Sequence, residues 1–127
     1  MFSHVMLGAN DMAASRTFYD ALLGTLGAKP GFEDPKGRVV YRHKGAMLML
    51  TTPINGEPAC HANGGTVGFA CESPEQIEAW HEAGLAHGGT AIEDPPGVRN
   101  SPFGPLHLAY LRDPTGNKLC AAYRPPA

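Results

Sequence analysis

The chain has no apolar run approaching the ~20 residues that a membrane-crossing helix needs. It also lacks an excess of either charge, with ten Lys and Arg against twelve Asp and Glu and a formal net charge of −2. The first lack excludes a helical membrane span. The second leaves no basic stripe for a nucleic-acid backbone and no handle for an anionic lipid surface. Cysteine is scarce: Cys60, Cys71 and Cys120 are odd in number and unpatterned in spacing, which reads as reduced thiols in a cytoplasmic setting. The start, Met1-Phe2-Ser3-His4, has neither a basic segment nor a cleavage site, so no secretory leader is expected. A phosphate-binding glycine loop is missing too, because Gly88-Gly89 follows a helical pattern rather than opening one. No Ser/His/Asp arrangement can be argued from the order of residues.

What is plentiful is turn chemistry. The 16 glycines and 12 prolines fall between periodic segments rather than in low-complexity tracts. Ser3 to Ala9 alternates as a strand. Asn10 or Asp11 can cap a helix running to about Leu26, whose apolar stripe is Phe18, Leu22 and Leu26 with Tyr19 and Leu23 beside it, and Gly27 stops it. Glu33 to Gly37 is a turn. Arg38–His43 and Met47–Thr52 are strands reversed at Lys44-Gly45, and Pro53 to Gly65 is a loop.

The order then begins again. Thr66–Cys71 is a strand. Ser73-Pro74-Glu75-Gln76 is a helix start with a capping box, and Ile77, Trp80 and Gly84 form the buried stripe. Thr90–Glu93 is a short strand, and a loop that includes Val98–Pro105 precedes a final hairpin about Asp113-Pro114-Thr115-Gly116-Asn117. In that hairpin Leu106, Leu108 and Tyr110 alternate on one strand. Lys118, Cys120 and Ala122 share one face of the other, opposite Leu119 and Ala121. Short matches recur in the same order in both halves: His4-Val5 on Thr66-Val67, Glu33-Asp34-Pro35-x-Gly37 on Glu93-Asp94-Pro95-x-Gly97, and Gly45-x-x-Leu48-Met49 on Gly116-x-x-Leu119-Cys120. The expected fold is therefore α+β, with two βαβββ modules forming a curved mixed sheet of half-barrels around a cleft and the helices outside. The expected organisation is one domain over 1–127, with modules over about 1–56 and 64–127.

Two βαβββ units, with His4-Val5, Asp11-Met12, Phe18-Tyr19-Asp20, Leu23-Gly24 and Arg112-Asp113-Pro114-Thr115-Gly116-Asn117, resemble the vicinal-oxygen-chelate superfamily of glyoxalase, bleomycin-resistance and extradiol dioxygenase proteins. The resemblance implies a protein that acts on or binds a small molecule in the central cleft, with lyase, isomerase or dioxygenase chemistry as the enzymatic options. The competing reading is a metal-free protein that binds or sequesters its ligand. The resemblance also implies a homodimer, since short chains of this family often complete their clefts by pairing. Metal-using members draw ligands from four strand positions, which here are His4, Met49, Thr66 and Cys120. Only His4 is of the family's type, which points to no tightly bound metal, with one divalent ion, zinc or iron, as the alternative.

His4 is the candidate acid, base or ligand because imidazole titrates near neutrality. Cys120 is the candidate thiolate or nucleophile, weighed against the usual role of free cysteine as a small buried hydrophobe. His61, in the loop before the fifth strand, would complete a His4, His61, Cys120 set of the catalytic-zinc type. Asn63, Thr66, Tyr110 and Arg112 are candidate ligand-binding residues. Tyr41 and Arg42 are also candidates, but alternation allows only one of them to face the cleft. Arg112 could grip a carboxylate with both arms of its guanidinium.

Overall fold

The computed structural model describes residues 1–126. The first unit is β1 (Val5–Gly8), α1 (Met12–Gly24), β2 (Phe32–Glu33), β3 (Val39–His43) and β4 (Ala46–Thr51). The second is β5 (Val67–Ala70), α2 (Pro74–Ala86), β6 (Thr90–Ala91), β7 (Gly97–Ser101), β8 (Gly104–Arg112) and β9 (Lys118–Tyr123). The first sheet has the order β1-β4-β3-β2. The second has β5-β9-β8-β6, with β7 also paired to β8. Each opens with a parallel pair, β1 with β4 and β5 with β9, and continues antiparallel. The repeat read in the sequence is thus a repeat of topology. The result is an α+β fold with two open, curved, mixed sheets. No helix among the described residues is long and apolar enough to cross a membrane.

Local chemistry places the helices. Asp11 caps α1, its Oδ1 accepting from the Ala14 amide at 2.9 Å. Asn10, the other candidate cap, instead holds the long loop, donating to the Ala59 carbonyl and accepting from the Ala59 amide. Ser73 caps α2, its Oγ accepting from the Gln76 amide. Gln76 reaches back past the cap to accept from the Glu72 amide at 2.7 Å, so the expected capping box is replaced by a bond one residue earlier. The buried stripes are Phe18, Tyr19, Leu22 and Leu23 on α1, and Ile77, Trp80 and Gly84 on α2. One apolar cluster spans both units and takes in Leu48, Leu50, Leu119 and Ala121 from the two sheets. Gly84 lets the helices and β8 close in, because a Cβ there would lie 2.3 Å from Leu111 Cδ1.

One expectation is corrected. The stretch Val98–Pro105, read as a loop, lies largely in a hairpin: β7 pairs with β8 from Gly97↔Leu108 to Ser101↔Gly104. Pro102 and Gly104 occupy its tip and first rung, so the punctuation that suggested a loop marks a reversal.

Candidate functional site

Each sheet has a face packed on the helices and a face turned away from them. Register decides which residues go where. In the first sheet Val39, Tyr41, Leu48 and Leu50 belong to the shared core. Val40 pairs with Met49, and Met49 with Met6, on the opposite face. In the second sheet Ala109, Leu111, Leu119 and Ala121 face the helices. Tyr110, Cys120 and Gly68 lie side by side on the other face. The sequence reading of Cys120 beside Lys118 and Ala122, opposite Leu119, matches this register.

The Cys120 thiol is buried at 8% exposure. Burial pushes its pKa above the ordinary value, against a lowering contribution from the Tyr110 hydroxyl, so it is protonated at neutral pH. Tyr110 is itself raised by burial and then by Cys120. The Lys118 ammonium lies 5.0 Å from the centre of the Tyr110 ring and is ion-paired with Glu93. Around this thiol the structure gathers the Tyr110 phenol, the Lys118 and Arg99 cations and the Glu93 carboxylate.

The candidate histidines lie apart. His4 is exposed ahead of β1, and its Nδ1 is 2.8 Å from Ser3 Oγ. His61 is exposed beside the β8–β9 turn, with its Nδ1 3.6 Å from the position a Cβ on Gly116 would take. That turn meets the far end of β1, where Asn117 donates to the Gly8 carbonyl at 3.0 Å. His4 and His61 therefore sit at opposite ends of β1, about 13 Å of strand apart. Among the described residues, no three His, Cys, Asp or Glu side chains converge as metal ligands. The His4, His61, Cys120 set is not assembled as a group of metal ligands among the described residues. The four family positions hold an exposed imidazole, a thioether, an exposed hydroxyl at Thr66 and a protonated thiol. A zinc or iron site wants several strong nitrogen, oxygen or thiolate donors, so these residues do not fit a metal.

Of the remaining candidates, Tyr41 points to the helices, with its hydroxyl donating to Asp20 at 2.7 Å. Burial raises its pKa, with Asp20 adding to the rise. Arg42 alternates to the other face and is exposed. Arg112 donates to the Gly116 carbonyl at 2.7 Å, bracing its own hairpin rather than reaching out. Asn63 is exposed in a turn closed by the Gly65 amide on the Ala62 carbonyl.

Two features escaped the sequence reading. Asp113, read only as a turn residue, is 4% exposed. Its Oδ1 accepts from the amides of Thr115, Gly116 and Asn117, and its Oδ2 accepts from Tyr19 and Asn117. The second is a cavity of about 350 Å³ on the helix side, between the two units, walled by residues such as Val5, Leu26, Leu48 and Phe69. It lies across the first sheet from Met49.

The superfamily model described as Glyoxalase/Bleomycin resistance protein/Dioxygenase matches residues 1–121. The chain belongs to this superfamily. Its fold is similar to the crystal structure of a glyoxalase/bleomycin resistance protein from Albidiferax ferrireducens T118. The TM-score is 0.94 at 58% identity, covering 98% of this chain and 99% of that one. A glyoxalase-related enzyme from Fulvimarina pelagi shares the fold at TM-score 0.74 and 21% identity, over 98% of this chain and 89% of that one. A lactoylglutathione lyase from Agrobacterium tumefaciens shares it at 0.67 and 20%, over 97% and 92%. No curated protein sequence matches the chain. Members of the superfamily commonly bind small molecules and form dimers. Superfamily membership sets the scaffold, while the donor set described above departs from its metal-using members.

Proposed function

We propose that this superfamily member binds a small organic molecule against the outward sheet faces, about Met49, Tyr110 and Cys120, and does so without a resident metal. The observation that carries the reading is the donor set: a thioether, a hydroxyl and a thiol kept neutral by burial, with His4 engaged by Ser3 at the surface. Such a face offers soft apolar contact and one phenol, which suits recognition of an organic ligand better than polarisation of its oxygens. The nearby cations are already engaged, since Lys118 pairs with Glu93 and Arg99 donates to the Gly97 and Asp94 carbonyls.

The same face supports a homodimer. Met6 and Phe32 share it with Val40 and Met49, yet are 39% and 49% exposed. A second copy that covers them would also enclose the ligand. A cytoplasmic setting accords with the three free cysteines.

A thermal-shift screen of small organic compounds, run with and without EDTA, tests the reading. It expects hits whose stabilisation survives EDTA and is lost in Tyr110→Ala. A screen in which every hit vanishes with the chelator, or in which no hit depends on Tyr110 or Cys120, would overturn it.

A further inference from the structure

The pseudo-repeat is unequal at its hairpin turns, and the cavity follows from that inequality. At one end of the seam between the units, the long β8–β9 turn closes the gap. Asp113 takes the Tyr19 hydroxyl at 2.6 Å, Asn117 donates to the Gly8 carbonyl, and Thr115 Oγ1 accepts from the Asn10 amide at 3.2 Å. At the other end the equivalent β3–β4 turn is only Lys44-Gly45, with both residues at positive φ, 49° and 80°. A two-residue reversal of this kind is too short to fill the seam. It meets the second unit through Lys44 Nζ on Glu72 Oε1 at 2.6 Å, and the space behind it stays open at about 350 Å³.

We infer that this cavity is a second ligand site, separate from the outward faces, for an uncharged, flat, largely apolar molecule bearing one hydrogen-bonding group. Its walls are aliphatic and aromatic. The polar groups at its mouth are nearly all engaged. Lys44 and Glu72 pair with each other. Gln76 accepts from the Glu72 amide and donates to the Thr25 carbonyl. The Tyr41 hydroxyl is held by Asp20. Burial pushes the Cys71 thiol up to about 11, so it is neutral. No unpaired charge is left to meet an ion, and an ion taken into such a cavity would lose its hydration uncompensated. The exception is His43. Its ring lies in the wall near Gly27, partly exposed, and among the described residues it makes no hydrogen bond. Its ring nitrogens are placed to meet a hydroxyl or carbonyl on a bound molecule. The volume lies within the range of small-molecule sites, at its lower end.

The test is a fluorescence titration of the whole protein with 2-naphthol, naphthalene and naphthalene-2-sulfonate. The inference expects saturable 2-naphthol binding at one site per chain and at least tenfold weaker binding of the sulfonate. Ala46→Trp, at the cavity mouth, should weaken 2-naphthol at least tenfold, while His43→Phe should erase its preference over naphthalene. Tyr110→Ala should leave 2-naphthol affinity unchanged, which separates this site from the outward faces. No saturation, equal binding of the sulfonate, or indifference to Ala46→Trp would overturn it. Should Ala46→Trp fail to fold, methyl NMR of the wild-type protein decides the matter: 2-naphthol shifts at Leu23, Leu48 and Val67 support the site, and shifts confined to Leu106 and Leu108 refute it.

Discussion

The Tyr19 hydroxyl donates to Asp113 Oδ2 at 2.6 Å, tying the helix of the first unit to the last hairpin turn of the second. Both residues are buried, and burial followed by the adjacent Asp113 carboxylate raises the Tyr19 pKa well above its ordinary value. The carboxylate is balanced by donors alone: three backbone amides, the Asn117 amide and this phenol.

Removing the phenol leaves the charge short of one donor. Tyr19→Phe should cost about 1.5–3 kcal/mol, the worth of a hydrogen bond to a charged group. Asp113→Ala strips all these donors of their acceptor at once and should cost more, about 3–5 kcal/mol by analogy with breaking a buried ionic arrangement. Urea unfolding of the two variants checks the order. A smaller loss for Asp113→Ala than for Tyr19→Phe would mean that the turn relaxes to find other partners.

Two helical glycines should respond to alanine with opposite signs. At Gly84 a Cβ would sit 2.3 Å from Leu111 Cδ1 and 3.1 Å from Leu22 Cδ1. Alanine gains up to about 1 kcal/mol of helix propensity there, but overpacking a core costs about 1–3 kcal/mol, so Gly84→Ala should destabilise. At Gly24 nothing lies within 4 Å of the added carbon, so only the propensity and entropy gain of about 0.5–1 kcal/mol remains. Thermal melts should show Tm falling for the first variant and rising for the second.

The cysteines give a pH dependence. In the folded protein the Cys71 thiol is raised from 9.0 to about 11 by burial, with Cys120 adding to it, and Cys120 is raised too. The unfolded chain therefore loses these protons first. Stability is fully present below about pH 9 and is lost as pH rises towards 11. The urea midpoint should fall over that window, and less steeply in Cys71→Ala. Some decline should persist in the variant, because Tyr19, Tyr41 and Tyr110 are also raised. Thiol labelling at neutral pH should modify Cys60 at once, as it is exposed, and Cys71 and Cys120 only on unfolding.

Much of the scaffold was legible because its signals are local. The α2 start is written in Ser73 and Pro74, which cap and open it as their positions imply, while Gln76 bonds the Glu72 amide instead of closing a box on Ser73. The alternation about Cys120 gave its face correctly. Strand β7 was not legible, since Gly97 to Ser101 lacks an apolar run and becomes a strand only by pairing with an extended β8. The second role of Asp113 depends on a tyrosine 94 residues away. The separation of His4 from His61 depends on which end of β1 each segment meets, which chain order does not state. The cavity is a property of two turn lengths compared across the seam, visible only once the units are docked.

Calorimetric titration of the chelator-washed protein with Zn²⁺, alongside His4→Ala and Cys120→Ala, tests most directly whether the family's metal positions have lost their function. The account predicts no stoichiometric site, with any heat weak, at Kd above about 100 μM, and indifferent to Cys120→Ala. One ion per chain at Kd below about 1 μM, abolished by both substitutions, would contradict it.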